Sequence, residues 1–190
     1  SLKGYARPDA DERKEVDVRR GIDDVLRLTS HRVHGIDVVC EYEDVEPVLA
    51  HPSKLQQVWT NLIVNAAEAI EDEAADLKAR AEASPASGIH LPARGHDEAR
   101  ITIRVAMDGD QVEVQICDNG PGIAPEVLDR IMEPHFTTKA GRVRFGLGMG
   151  MSIVHSIIAD LDGRLLIDSH PGSTTMRILI PAHHVHEEES

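Results

Sequence analysis

The run from Leu55 to Ile70 constrains this chain more than any other stretch. Leu55, Val58, Trp59, Leu62, Ile63, Ala66, Ala67 and Ile70 recur at i, i+3, i+4 and i+7, the spacing of a helix with one apolar face. Pro52 and Ser53 suit its first turn. At 100° per residue the apolar centre lies near Leu62 and Ala66, while Asn61, Asn65 and Glu68 form a second stripe along one border of it. The two carboxamides are therefore expected to face the edge of a cleft.

Other elements gather around that helix. "KEVDV" (14–18) reads as a short strand, and the next stretch spaces Ile22, Val25, Leu26 and Val33 on one helical face, with Gly35 as its stop. "IDVVCEY" (36–42) is β-branched and strand-like. After Ile70 an Ala-rich acidic extension of the helix leads into a Ser/Pro/Gly loop. Ile101, Ile103 and Val105 alternate against Val112, Val114 and Ile116 around Asp108-Gly109, a hairpin with one buried face. "APEVLDRIM" and "MSIVHSIIADL" predict two helices, "GRLLIDS" and "TMRILIP" two closing strands, and "AHHVHEEES" a frayed tail. Segregated strands and helices predict an α+β, two-layer sandwich: a mixed sheet of about five strands covered on one face by helices.

At 190 residues and 41% hydrophobic, the chain can bury one core. A formal net charge of −13 argues against a nucleic-acid partner. No apolar run nears the roughly 20 residues that cross a bilayer. Cys40 and Cys117 lack CxxC spacing, read as buried thiols, and fit a reducing cytoplasm. The eleven histidines show no zinc spacing and read as exposed, structural side chains.

Two glycine clusters carry the chemistry. "CDNGPGI" closes an alternating strand, so Asp118 emerges at the strand end, where a carboxylate can accept from an exocyclic amine, and Gly120 and Gly122 let backbone approach a flat ring. An ordinary Asp-Asn-Gly turn explains that heptad equally well. "FGLGMGMSIVHSII" puts Gly146, Gly148 and Gly150 at a helix start, where free amides suit polyphosphate oxygens. It matches neither the Rossmann pattern nor a Walker A loop. Between the clusters lie Lys139, Arg142 and Arg144, cations that could close over phosphates as a lid.

In order, the Asn helix, "DNGPGI", "PHFTTK" and "GLGMG" resemble the N, G1, F and G2 boxes of the ATP-binding domain of sensor histidine kinases. These belong to the Bergerat-fold (GHKL) superfamily, with gyrase-type topoisomerases, mismatch-repair ATPases and a heat-shock chaperone. The resemblance covers residues 16–181, and "SKLQQVWTNLIVNAAEAI" looks like the nitrogen-regulation type. It implies ATP and Mg²⁺ as ligands, with Asn65 as the metal ligand. Asn61 stands where the superfamily's ATPases carry a water-activating Glu. Asp118 is implied for the adenine amine, with Gly120, Gly122, Ile123 and Thr174 around the ring. Phe136, Thr137, Thr138 and Lys139 are implied for the lid, and Gly146, Leu147, Gly148, Met149 and Gly150 for the phosphates. Asn61 and Lys139 would be catalytic.

The resemblance also implies boundaries and partners. Residues 1–13 are expected to be a linker or the end of an upstream dimerisation helix, and 14–182 the ATP-binding domain, with an insertion or mobile loop at 71–99 and the ATP lid at 123–145. A disordered tail is expected at 183–190. No His-Asp/Glu-x-x-Asn/Thr acceptor stretch is present, so the phosphorylated His is expected on a dimerisation domain of the same protein. The expected parent is a homodimer that passes phosphate to a response regulator, with this domain in the cytoplasm whether or not the parent is membrane-anchored. Two departures matter. Glu68 stands where many members carry Lys or Arg, which leaves charge neutralisation to Mg²⁺ and the lid, and "PGSTT" shortens the usual Gly-x-Gly-Thr at Thr174. Rival classes are an ATP-hydrolysing clamp, opposed by Asn61, a partner-binding module without nucleotide, favoured by Glu68, and a serine-directed anti-sigma kinase, which lacks this "PHFTTK" box.

Overall fold

In the computed structural model, residues 12–83, 99–128, 130–131 and 150–184 are described. Strand β1 (Lys14–Val16) leads into helix α1 (Val18–Leu28), which begins where the Asp17 carboxylate accepts from the Arg19 N–H at 3.0 Å. Thr29 ends α1: its N–H and its hydroxyl both donate to the Val25 carbonyl, at 2.8 and 2.7 Å. Val33 and Gly35, expected within and just past this helix, instead lie in the turn that follows. Gly35 has φ +83° there, a turn glycine rather than a helix stop.

Strand β2 (Asp37–Tyr42) follows, then β3 (Val48–Ala50), a strand that the pattern between 43 and 54 did not reveal. Its three residues pair antiparallel with β1, in a two-stranded ribbon too short to show periodicity. Helix α2 (Pro52–Ala83) carries the dominant apolar face. All eight residues of its ladder are buried, Trp59 completely. The first part of the expected 71–99 insertion is helix, and 84–98 lie outside the described residues.

Strands β4 (Arg100–Asp108) and β5 (Gln111–Asp118) form the hairpin, whose two-residue turn is Gly109-Asp110 with Gly109 at φ +64°. After α3 (Pro125–Leu128) and α4 (Gly150–Ala159) come β6 (Arg164–His170) and β7 (Ser173–Pro181). The five-stranded sheet runs β2-β4-β5-β7-β6, with β2 parallel to β4 and the remaining pairs antiparallel. This is the mixed, helix-covered sheet expected.

The core forms where Ile101, Ile103, Val105, Val112, Val114, Ile116, Met176, Ile178 and Ile180 meet α1, α2 and α4. On the opposite face, Arg100 pairs with Asp37, Arg104 with Glu41 and Arg177 with Glu113, a solvated ladder between neighbouring strands. Cys40, expected buried, is exposed because β2 is an edge strand, and Cys117 is half-buried. The first residues of the expected tail are docked. Ala182 bridges to Val48, His183 donates its N–H to the Pro47 carbonyl at 2.7 Å, and the His184 ring meets the Glu46 carboxylate at 2.5 Å.

Ile178 is fully buried at the centre of this core, whereas Leu166 on the edge strand is 43% exposed. Ile178→Ala should cost about 2–5 kcal/mol and Leu166→Ala about 0.5 kcal/mol. Urea titration followed by fluorescence of the chain's single tryptophan, Trp59, measures both.

Candidate nucleotide site

The alternation that buries Val112, Val114 and Ile116 continues to the end of β5, so Asp118 also points toward the helices. It is 6% exposed. The Gly120 N–H donates to its Oδ1 at 3.0 Å. Burial pushes this carboxyl up to about 6, against the Gly120 hydrogen bond, and the negative charge of Glu73 on α2 pushes the same way as burial. Facing Asp118 across the β5–β7 ladder is Thr174, buried at the start of β7.

A hydroxyl relay ties this pair to the loop after β5. The Thr174 hydroxyl lies 2.9 Å from that of Ser169, and the Ser169 oxygen accepts from the Ile123 N–H at 2.8 Å. Gly122 has φ +83°, and a Cβ there would fall 2.3 Å from the His170 carbonyl, so only glycine lets the loop seat on the β6–β7 turn. Ser169 escaped the sequence reading. Its only signal is a small hydroxyl at an inward position of β6.

Helix α2 supplies the facing wall. A Cβ on Gly120 would lie 3.4 Å from the Ala69 Cβ, which places the loop glycine directly on the helix. One to two turns earlier on α2, a Cβ on Gly150 would lie 3.6 Å from Asn61 Oδ1 and 4.0 Å from Asn65 Nδ2. The start of α4 therefore rests over the two carboxamides. Asn65 Nδ2 donates to the Met151 sulfur at 3.6 Å, which leaves its carbonyl oxygen to ligate a cation. Among the described residues no cluster of three His, Cys, Asp or Glu could cage a metal. This donor set suits Mg²⁺, which keeps most of its water and phosphate ligands, rather than an ion held by protein alone.

Gly150 thus meets Asn61 and Asn65 on α2 and Gly120 meets Ala69, while Asp118 faces Thr174 in the sheet and Gly122 and Ile123 seat on β6 and the turn after it. Phe136, Thr137, Thr138, Lys139, Arg142, Arg144, Gly146, Leu147, Gly148 and Met149 lie outside the described residues. Glu68, the residue expected to leave neutralisation of the phosphates to metal and lid, pairs with Arg32 on the turn after α1. A separate hollow of about 320 Å³ near Glu41, Arg104 and Glu113 sits on the helix-free face, where ion pairs fill its rim.

Asp118 also makes the nucleotide-free protein pH-sensitive. Its folded value near 6 exceeds the usual 3.8, so the folded state prefers the proton. The resulting stability is complete below about pH 4 and is lost as pH rises through 6, a change of about 3 kcal/mol. Urea unfolding at pH 4.5 and 7.5 should show about 2 kcal/mol of this loss in wild type relative to Asp118→Asn, which cannot titrate.

Residues 50–184 match the family of histidine kinase-, DNA gyrase B-, and HSP90-like ATPases. Sensor kinase CckA of Brucella abortus (strain 2308) is 34% identical over 160 residues, which cover 82% of this chain and 16% of that protein. The sensory histidine kinase/phosphatase NtrB of Rhizobium meliloti (strain 1021) is 38% identical over 136 residues, 72% of this chain and 32% of that protein. The chain therefore spans less than a third of either relative's length. Among solved structures, the catalytic domain of histidine kinase ThkA, in a nucleotide-free form, aligns with a TM-score of 0.67 at 26% identity over 90% of this chain and 97% of that one. The sheet and its helices have the Bergerat fold of histidine kinase catalytic domains. With most of its length inside the match, the chain belongs to the histidine kinase-, DNA gyrase B-, and HSP90-like ATPase family.

Proposed function

We propose that this chain binds Mg-ATP and transfers the γ-phosphoryl group to a histidine on a dimerisation domain of the same protein, from which a response regulator receives it. The observation that carries this reading is the meeting of two segments with one helix: the start of α4, with Gly150 over Asn61 and Asn65, and the loop after β5, with Gly120 over Ala69 beside buried Asp118.

In this reading Asp118 accepts from the adenine amine, a contact that would also relieve the cost of keeping its carboxylate out of water. Guanine presents an acceptor at that position, so a buried carboxylate would reject it, by up to ~10⁴-fold. Thr174 orients the same edge of the ring, and Gly120, Gly122 and Ile123 bring backbone against its plane. Asn65 would offer its carbonyl oxygen to Mg²⁺, which when bound would supply positive charge against the phosphates. The amides of Gly146 to Gly150 cradle phosphates, and Lys139, helped by Arg142 or Arg144, stabilises charge on the transferring group. Asn61 cannot take a proton at neutral pH, so it positions the phosphate without activating water. ATP is then held intact until the histidine nucleophile arrives. Among the described residues no helix is long and apolar enough to cross a membrane.

Mg-ATP at a hundredfold excess over Kd should stabilise the fold by about 2.7 kcal/mol in thermal unfolding, and Mg-GTP should not. Asp118→Asn should remove most of that shift. A folded wild type with no shift would instead favour the nucleotide-free partner module. Phosphate release by the pure chain should stay near background, and rapid turnover would point to a hydrolysing clamp.

A further inference from the structure

The border of the site nearest the two carboxamides carries a negative charge. Glu68 follows Asn65 by three residues and Asn61 by seven, so it lies on the same side of α2, about 4.5 Å further along the axis than Asn65. Ala69, the residue beneath Gly120, is its neighbour. A carboxylate there stands about one turn beyond Asn65, on the side of α2 that Gly150 rests against. Left to act alone, it would repel a polyphosphate.

The Arg32 guanidinium meets it. Arg32 Nη2 donates to Glu68 Oε1 across 36 residues of sequence, and the two side chains are only 30% and 22% exposed. Solvent screens a half-buried charge less than an exposed one, so its sign matters more. The arginine does not sit on a loose loop. Its own N–H donates to the Thr29 carbonyl at 2.7 Å, Val33 N–H donates to the same carbonyl at 3.3 Å, and Ile36 N–H donates to the Val33 carbonyl at 3.1 Å. This hydrogen-bonded turn presents the guanidinium to α2 with part of its ordering cost already met by the fold.

We propose that Arg32 is a positioning residue for the nucleotide's phosphates: by pairing with Glu68 it cancels a negative charge on the border of the phosphate subsite, so that Asn65 and the start of α4 can receive a polyanion. This rests on the nucleotide-binding reading above. An arginine that merely fastened the turn after α1 to α2 would affect folding but would not distinguish ligands by charge.

The test compares Mg-ATP with adenosine, which has the base but no phosphate, by calorimetric titration of the whole 190-residue chain. Arg32→Ala should weaken Mg-ATP about tenfold while changing adenosine less than about twofold. The weakening should grow at low salt and shrink at high salt. Adding Glu68→Gln to Arg32→Ala should bring Mg-ATP affinity back to within about twofold of wild type, because the charge requiring cancellation is gone. Arg32→Lys should keep most of the affinity. Equal losses for both ligands, unchanged affinity for both, or no rescue by Glu68→Gln would each overturn the proposal. If Arg32→Ala fails to fold, the double variant and Arg32→Lys decide, since a merely structural role predicts that the double variant, also lacking the pair, fails equally. A wild type that binds adenosine and Mg-ATP leaves the function standing whichever way Arg32 falls, whereas a wild type that binds neither removes both.

Discussion

Trp59 and the apolar residues around it have to leave water, and the way α2 turns to achieve this determines where the rest of the structure can go. Burying Leu55, Val58, Leu62, Ile63 and Ala66 against the sheet orients the helix about its own axis, because its side chains have no independent freedom of rotation around that axis. Once that face is down, Asn61, Asn65 and Glu68 emerge together at its border. The candidate site is therefore a by-product of core formation. Each Leu or Ile withdrawn from water contributes about 1.5–3 kcal/mol, far more than carboxamides at a cleft edge could oppose.

The two segments that meet this border arrive by different means. The one carrying Asp118, Gly120 and Gly122 is delivered by strand alternation, because β5 keeps its inward phase to its last residue and β7 sets Thr174 opposite. The start of α4 is delivered by helix packing, as this helix buries Met151 and Val154 and so brings its first turn onto α2. The first of them also seats on the β6–β7 turn, so closely that a side chain at Gly122 would strike the His170 backbone. The site thus gathers negative charge from Asp118, Glu68 and Glu73 against a ligand proposed to be an anion. Burial of Asp118 suits an amine donor, while Arg32 offsets Glu68.

Much of this could be read in advance, for a physical reason that also marks the limit. A helix with eight apolar positions in register, and a hairpin with six alternating ones, are governed by local period, and the structure places them as the pattern implied. Where period was weak the reading slipped. Val33 extended a helical spacing beyond the Thr29 cap, because spacing cannot register two hydrogen bonds to the Val25 carbonyl. Strand β3 has three residues and exists through its pairing with β1. His183 and His184 looked like tail, yet they are tied down by Pro47 and Glu46, more than 130 residues earlier in the chain.

The same division runs through the candidate site. The sequence alone determined the residue types and their local geometry: two carboxamides one helical turn apart, a carboxylate at a strand end before glycines, and a glycine, Gly150, opening a helix. These depend on neighbours within a few positions, whose spacing is set by 3.6 residues per turn or by alternation along a strand. Only tertiary structure decided that Ser169 would link Thr174 to the Ile123 amide, and that Arg32 would answer the charge of Glu68. Those partners lie 46 and 36 residues apart, and no local period relates them. They meet because hydrophobic burial draws the elements together without regard to polar groups, leaving electrostatics to settle among whichever side chains arrive at the border.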